Sequence, residues 1–256
     1  MRRPWPSPYT PAVPPPAATV VVSDAHLGQV PETVRDRFHR FLQAVPEIGD
    51  HLLINGDLFD FWFEYRSVIP RAYFKTLVAI SRLRERGVRV TLTGGNHDRW
   101  GSTFWNNELG AEFVRGSTRT ELAGWKAWVG HGDGLAELTS SSRITHAVCS
   151  HPITARLFRL LHPDLGIGLA RRFSRFTCAR RDRPEAVARA AEAQAGYARR
   201  LLAEQPDLDL IVMGHTHQAA LESVSPRRWY LNPGAWMDGC KYAVITREGP
   251  ELAAFG

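Results

Sequence analysis

Five short apolar runs, each ending in a small residue followed by Asp, Asn or His, punctuate this chain of 256 residues. They are Val20-Val-Val-Ser-Asp24-Ala-His26, His51-Leu-Leu-Ile-Asn-Gly-Asp57-Leu-Phe-Asp60, Val90-Thr-Leu-Thr-Gly-Gly-Asn96-His97-Asp98, Trp128-Val-Gly-His131-Gly-Asp133 and Leu210-Ile-Val-Met-Gly-His215-Thr-His217. Apolar runs of this length, stopped by turn residues, predict buried strands that deliver a polar side chain at the carboxyl end. Between the first runs the apolar spacing lengthens to three and four. That predicts a helix over 31–45, carrying Phe38, Phe41 and Leu42 on one face, and another over 70–86 with apolar Phe74, Leu77, Val78 and Leu83. Gly87 supplies a stop signal. Strand, helix, strand, helix, strand is the order of parallel α/β units.

From 111 to 128 the pattern changes to short strands over 112–115, 119–122 and 125–129, separated by glycine turns. These predict a second sheet with antiparallel pairs. The stretch 135–205 is helical, arginine-dense and without a motif of its own. Its last part, Glu185 to Glu204, turns Val187, Ala190, Tyr197 and Leu201 to the core and receives no catalytic role. Strands return over 209–213, 219–224, 228–231 and 242–246. The expected organisation is one α/β domain over 19–256 built on two sheets. A helical insertion occupies about 135–205, and a Pro-rich, disordered tail occupies residues 1–18.

Composition narrows the class. The apolar fraction of 44% is ample for a packed core. No run approaches the roughly 18 to 20 apolar residues of a membrane span, and no apolar segment follows Arg2-Arg3 to make a signal peptide. Cys149, Cys178 and Cys240 are odd in number and widely spaced, which argues for a reducing, cytoplasmic setting and against thiolate metal chemistry. The net charge of +6 comes almost wholly from arginine, the lysines being Lys75, Lys126 and Lys241. An excess of that sign suggests anionic partners: phosphates, nucleic acid or an acidic membrane face.

Asp24, His26, Asp57, Asn96, His131, His215 and His217 make a ligand set of carboxylate, amide and imidazole without sulfur. Such ligands suit manganese and iron first, and accept zinc or cobalt. Seven are too many for one ion and right for two that share a bridging carboxylate. A pair of ions about 4 Å apart clamps a phosphoryl centre and lowers the pKa of a bridging water. Asp57 is the candidate bridge, being central and a carboxylate. Taken singly, Gly56-Asp57 or His131-Gly-Asp133 is an ordinary turn; five such motifs in order, each after a strand, are a metal centre.

In these motifs the chain resembles the calcineurin-like metallophosphoesterases. The family pattern stands here as Asp24/His26, Gly56-Asp57/Asp60, Gly95-Asn96-His97-Asp98, Gly130-His131 and Gly214-His215/His217. The resemblance implies an α/β/β/α sandwich of two sheets. It implies that Asp24, His26, Asp57 and His217 hold one ion, and Asp57, Asn96, His131 and His215 the other. His97 would touch a phosphate oxygen or protonate the leaving group, Asp98 would orient His97, and Asp60 would support the ligands from behind.

Within that family the chain looks most like the UDP-2,3-diacylglucosamine pyrophosphatases of lipid A synthesis. The similarity lies in Gly56-Asp-Leu-Phe-Asp-Phe-Trp62, Gly214-His-Thr-His217, Pro233-Gly-Ala-Trp236 and a helical insertion after the His131 motif. It implies a lid that takes acyl chains and attack by a metal-bridging hydroxide. The products would be UMP and 2,3-diacylglucosamine 1-phosphate. The best-known branch has Arg in place of His97 and Glu in place of Asp60, whereas this chain keeps the general metallophosphoesterase residues.

In the insertion, Leu157, Leu160, Leu161, Leu165, Ile167, Leu169, Phe173 and Phe176 interleave with many arginines. A basic amphipathic stretch of this kind either caps the domain or meets a membrane surface or lipid phosphate; the resemblance implies the cytoplasmic face of the inner membrane. The pattern alone does not choose between these; the resemblance implies that the substrate is a lipid-linked nucleotide sugar. Another phosphodiester, of a nucleotide or nucleic acid, is the alternative. His39, His51, His146, His151 and His162 are expected at the surface or at helix caps. Trp62, Trp100 and Trp105 either line the cleft or pack the core.

Overall fold

The computed structural model describes residues 17–135, 147–149, 151–170, 172 and 184–256. The expected Pro-rich tail, apart from Ala17 and Ala18, lies outside these residues, as do His146, Phe173 and Phe176 of the expected insertion. Strands β1 (Ala18–Val22), β2 (His51–Asn55) and β3 (Arg89–Thr93) run parallel at the centre of the first sheet. They are joined through helices α1 (Glu32–Ile48) and α2 (Phe74–Glu85). The sheet is completed by β4 (Glu112–Val114), parallel to β3, and by β10 (Lys241–Thr246) and β11 (Pro250–Ala254), both antiparallel to their neighbours. Its order is β11-β10-β1-β2-β3-β4.

The second sheet has the order β5-β6-β7-β9-β8. Its strands are β5 (Thr118–Leu122), β6 (Trp125–Val129), β7 (Leu210–Val212), β8 (Ala220–Ser225) and β9 (Arg228–Asn232). β6, β7 and β9 are parallel. Short helices α3 (Phe104–Asn107) and α4 (Pro152–Phe158) precede the long α5 (Pro184–Glu204).

Side-chain alternation along the central strands explains the layering. Val20, Val22, Leu52, Ile54, Val90 and Leu92 face α1 and α2, where Phe38, Phe41, Leu42, Val45, Leu77, Ile80 and Leu83 meet them. Val21 and Leu53, on the other face, join Leu122, Ala127, Val129, Leu210, Val212 and Leu231 between the sheets. Ile211, Met213 and Tyr230 point away from that interior onto Ala195, Ala198, Leu201 and Leu202 of α5. Three apolar layers thus separate helix, sheet, sheet and helix, the expected α/β/β/α sandwich. Each buried Leu, Val or Phe contributes roughly 1.5 to 3 kcal/mol.

The structure departs from the sequence reading in four places. β4 belongs to the first sheet, not the second, because its register runs on from β3. β11 is an edge strand that no apolar run announces. Phe74 is 64% exposed, since the buried stripe of α2 is Thr76, Leu77, Ile80 and Leu83. His51 is buried rather than superficial: pairing sets it beside Thr19 and Arg89, and its ring lies 3.2 Å from Thr19 Oγ1 and 3.0 Å from Thr91 Oγ1. His151, by contrast, caps α4 by accepting from the Ile153 amide. Trp62 and Trp105 pack the core with Phe59. Among the described residues no helix is long and apolar enough to cross a membrane.

Candidate metal centre

β1, β2 and β3 of one sheet and β6 and β7 of the other end at the same edge of the sandwich, and all seven candidate ligands follow those ends. Backbone bonds tie the loops together. The amides of Asp24 and His26 donate to the carbonyls of Gly56 and Asp57 at 3.2 and 3.0 Å, and the Gly214 amide donates to His131 O at 2.9 Å. Five of the seven ligand candidates have left-handed backbone: Asp24 (φ 53°), His26 (43°), Asp57 (53°), His215 (69°) and His217 (61°). Residues held there cost about 1 to 3 kcal/mol each and persist where the surroundings over-determine them.

Glycine is required where these loops touch. A Cβ on Gly95 would stand 2.6 Å from the Asp57 amide nitrogen and 2.9 Å from its Cγ, and one on Gly56 would press into the His131 ring. Both positions therefore exclude a side chain, which explains the glycine at each strand end.

Among the described residues, three groups of ligand atoms come within 4.8 Å of one another: Asp24, His26 and His217; His26, Asp57 and His97; Asp57, His131 and His215. Asp57 joins two of them. Its Oδ2 lies 3.7 Å from His26 Nε2, 3.2 Å from His131 Nε2 and 4.0 Å from His97 Nε2. Asp24 Oδ1 is 3.4 Å from His217 Nε2 and 3.7 Å from His131 Nε2. Several buried atoms without a hydrogen-bond partner meet here: Asp24 Oδ1, both His26 ring nitrogens, Asn96 Oδ1 and His131 Nε2. Buried polar atoms are normally satisfied. Converging carboxylate, amide and imidazole atoms left over in one place fit divalent cations.

The electrostatics carry the same mark. Burial would raise the carboxyl groups of Asp24 and Asp57, but His131 with His217, and His131 with His97 and His26, outweigh it and hold both well below the usual range. Burial opposes charge on His131 as well, yet Asp57 and Asp24 lift it above the ordinary imidazole value. At His26 burial wins and lowers the pKa to about 4, leaving a neutral ligand.

The supporting residues differ in part from expectation. The amides of Gly95, Leu58 and Asp57 donate to the Asp98 carboxylate at 2.7, 2.8 and 3.3 Å, so Asp98 holds the two loops together. Burial and then Asp57 push its pKa up to about 6. The orienting contact to His97 comes instead from Asp60, whose carbonyl oxygen lies 2.6 Å from His97 Nδ1. The Asp60 carboxylate accepts from Gln29.

Three supporting residues escape the motif reading. Asn55 O accepts from His131 Nδ1 at 2.8 Å, while Asn55 Nδ2 donates to Gly130 O across the two sheets. That bond fixes the tautomer and points His131 Nε2 into the centre. Ser23 donates to Asp24 Oδ2, and Asp238 stands 3.8 Å from His217 Nδ1. The signal for Asn55 was an amide closing an otherwise apolar run; Asp238 had none.

Comparison with known proteins agrees with this geometry. The model of the calcineurin-like phosphoesterase family matches residues 18–219. A UDP-2,3-diacylglucosamine hydrolase of Porphyromonas gingivalis is 27% identical over 239 residues, covering 87% of this chain and 91% of that protein. Enzymes of the same name from Vibrio cholerae and Salmonella arizonae are 27% and 26% identical, covering 80% and 93% of this chain and 84% and 99% of their own. The ligand-bearing strand ends of both sheets fall within the matched span, and the chain belongs to the calcineurin-like phosphoesterase family as a metal-dependent phosphohydrolase.

Proposed function

We propose that this chain hydrolyses UDP-2,3-diacylglucosamine to UMP and 2,3-diacylglucosamine 1-phosphate. The observation that carries the substrate class is an apolar surface docked beside the centre. Val148, Ile153, Leu157, Leu160, Leu161, Leu165 and Leu169 are all exposed, at 40% to 82%. Phe158 of the same segment packs on Phe61, Phe63 and Trp100, and Trp100 Nε1 donates to Cys149 O at 3.1 Å. The segment thereby stands on the loops that leave Asp57 and Asn96. Exposed apolar clusters of this kind mark ligand or lipid contact, and we read this one as the lid that receives acyl chains.

The family's fold implies two divalent ions, and the orphaned ligand atoms fit them. Asp24, His26, Asp57 and His217 would hold one, and Asp57, Asn96, His131 and His215 the other, with manganese as the preferred ion. Bound there, the pair supplies a Lewis acid that lowers the pKa of water and neutralises phosphoryl oxygens. The chain's own residues do the rest. The His97 amide donates to Asp57 Oδ1 at 2.8 Å, which fixes the loop against the carboxylate that would serve both ions. With Nδ1–H held by the Asp60 carbonyl, His97 presents Nε2 to the cleft. Protonated, Nε2 donates to a phosphoryl oxygen or to the leaving group. Asp98 keeps the Gly95 and Asp57 backbones in register. The lid arginines would meet an anionic headgroup or the inner-membrane surface from the cytoplasmic side.

The test is product analysis with manganese, offering UDP-2,3-diacylglucosamine beside an aryl phosphodiester. The expected result is UMP release from the lipid at much the higher kcat/KM. Turnover of the aryl diester alone would leave a phosphodiesterase acting on another substrate, a nucleotide or nucleic acid among them.

A further inference from the structure

The buried face of α5 is Gln194, Ala195, Ala198, Leu201 and Leu202, so one amide stands in an otherwise apolar stripe. Gln194 is 0% exposed, and both of its polar atoms have hydrogen-bond partners. Its Oε1 accepts from Tyr230 Oη at 2.9 Å, Asn232 Nδ2 at 3.2 Å and Thr216 Oγ1 at 3.4 Å, while its Nε2 donates to Gly214 O at 3.1 Å. Thr216 is the residue between His215 and His217, and Gly214 precedes His215. The amide also abuts the other loop of this sheet. Gly132, next to His131, has φ +100°, and a Cβ there would run into Gln194 Nε2. Asn232 Nδ2 reinforces the contact by donating to Gly214 O and Thr216 Oγ1, both at 3.0 Å.

A buried amide is tolerated only when every polar atom is met. A helix that merely covered the sheet would use a fifth apolar residue here. This one instead aims its single amide at the backbones that carry three imidazoles. We propose that Gln194 is a positioning residue of the metal centre, setting the loops of His131, His215 and His217 from the outer helix of the sandwich. The proposal rests on those three imidazoles being ligands. It gives α5 a part in the site that its sequence did not suggest.

The test is calorimetric titration of metal-free protein with Mn2+ alone, using Gln194→Met, which keeps the volume and removes the bonds. Supporting groups of this kind are worth about 10- to 100-fold in metal affinity, and that is the loss expected. Gln194→Glu keeps the acceptor for Tyr230, Asn232 and Thr216 but not the donor to Gly214, and should recover part of it. Leu202→Ala, equally buried on the same helix, is the control. It should lower Tm at least as much while leaving affinity within about twofold. Gln194→Met binding Mn2+ as well as Leu202→Ala does would overturn the proposal and reduce Gln194 to packing. His215→Ala separates the premises. If it binds like wild type, the ligand assignment falls and the proposal with it; if it is weakened while Gln194→Met is not, the positioning role alone falls.

Discussion

Acid should loosen this fold through a residue outside the metal centre. His51 opens β2 and is 1% exposed, with Arg89 Nη2 donating to its Nδ1 at 3.1 Å and Thr91 Oγ1 at 3.0 Å from its Nε2. Burial first, then Arg89 and Arg84, lower its pKa from 6.5 to about 3. The folded state therefore holds the neutral ring where the unfolded chain would protonate. A folded pKa below the unfolded one gives stability that is complete above about pH 6.5 and is lost as pH falls toward 3. At 1.36 kcal/mol per unit, the drop from pH 7 to pH 5 amounts to about 2 kcal/mol. That is a sizeable part of the roughly 5 to 15 kcal/mol of a typical domain. The perturbation is His51→Gln, which keeps hydrogen-bonding capacity and removes the titration. Urea unfolding of both proteins with a chelator present, at pH 7, 6 and 5, cancels the carboxylates common to them. Wild type should lose about 2 kcal/mol more than the variant over that interval. A difference that does not change with pH would refute the buried, Arg89-facing histidine.

Other expectations follow from the same contacts. Gly95→Ala forces a methyl group against the Asp57 backbone and should cost about 1 to 3 kcal/mol of stability together with most Mn2+ affinity; unchanged titration would mean that the loop yields freely. His97→Ala should lower kcat by about 10²- to 10⁴-fold with metal content intact. Because His97 shares a cluster with His26 and Asp57, loss of an ion in that variant would make it a ligand instead. Replacing Leu157, Leu160 and Leu161 by Ser should cost no more than about 0.5 kcal/mol of stability each, since all three are exposed, while raising KM for a diacylated substrate. An unchanged KM would remove the acyl-binding role of that surface.

The centre was legible because each ligand motif is announced locally: an apolar strand, a small residue (glycine in four of the five), then Asp, Asn or His. The glycines were part of the signal for a steric reason now visible at Gly56 and Gly95, where neighbouring loops leave no room for Cβ. What stayed hidden depends on partners distant in sequence. His51 reads as a polar strand end, and only the parallel register places Thr19 and Thr91 around it. The wrong sheet for β4 has the same origin, since a three-residue strand names no neighbour. Asp98 follows His97 directly, yet its carboxylate turns to the amides of Gly95, Asp57 and Leu58, leaving Asp60 O to hold the imidazole. Gln194 sits in a helix whose period places it inward but cannot tell what awaits it there.

The central claim is that two ions share Asp57, and counting bound metal tests it most directly. Protein loaded with Mn2+, freed of excess and assayed by elemental analysis should hold about two ions per chain. Asp57→Asn should retain neither firmly, while His217→Ala should lose one and keep the other. A single ion in wild type, or an Asp57→Asn variant that still binds two, would contradict the shared-carboxylate centre.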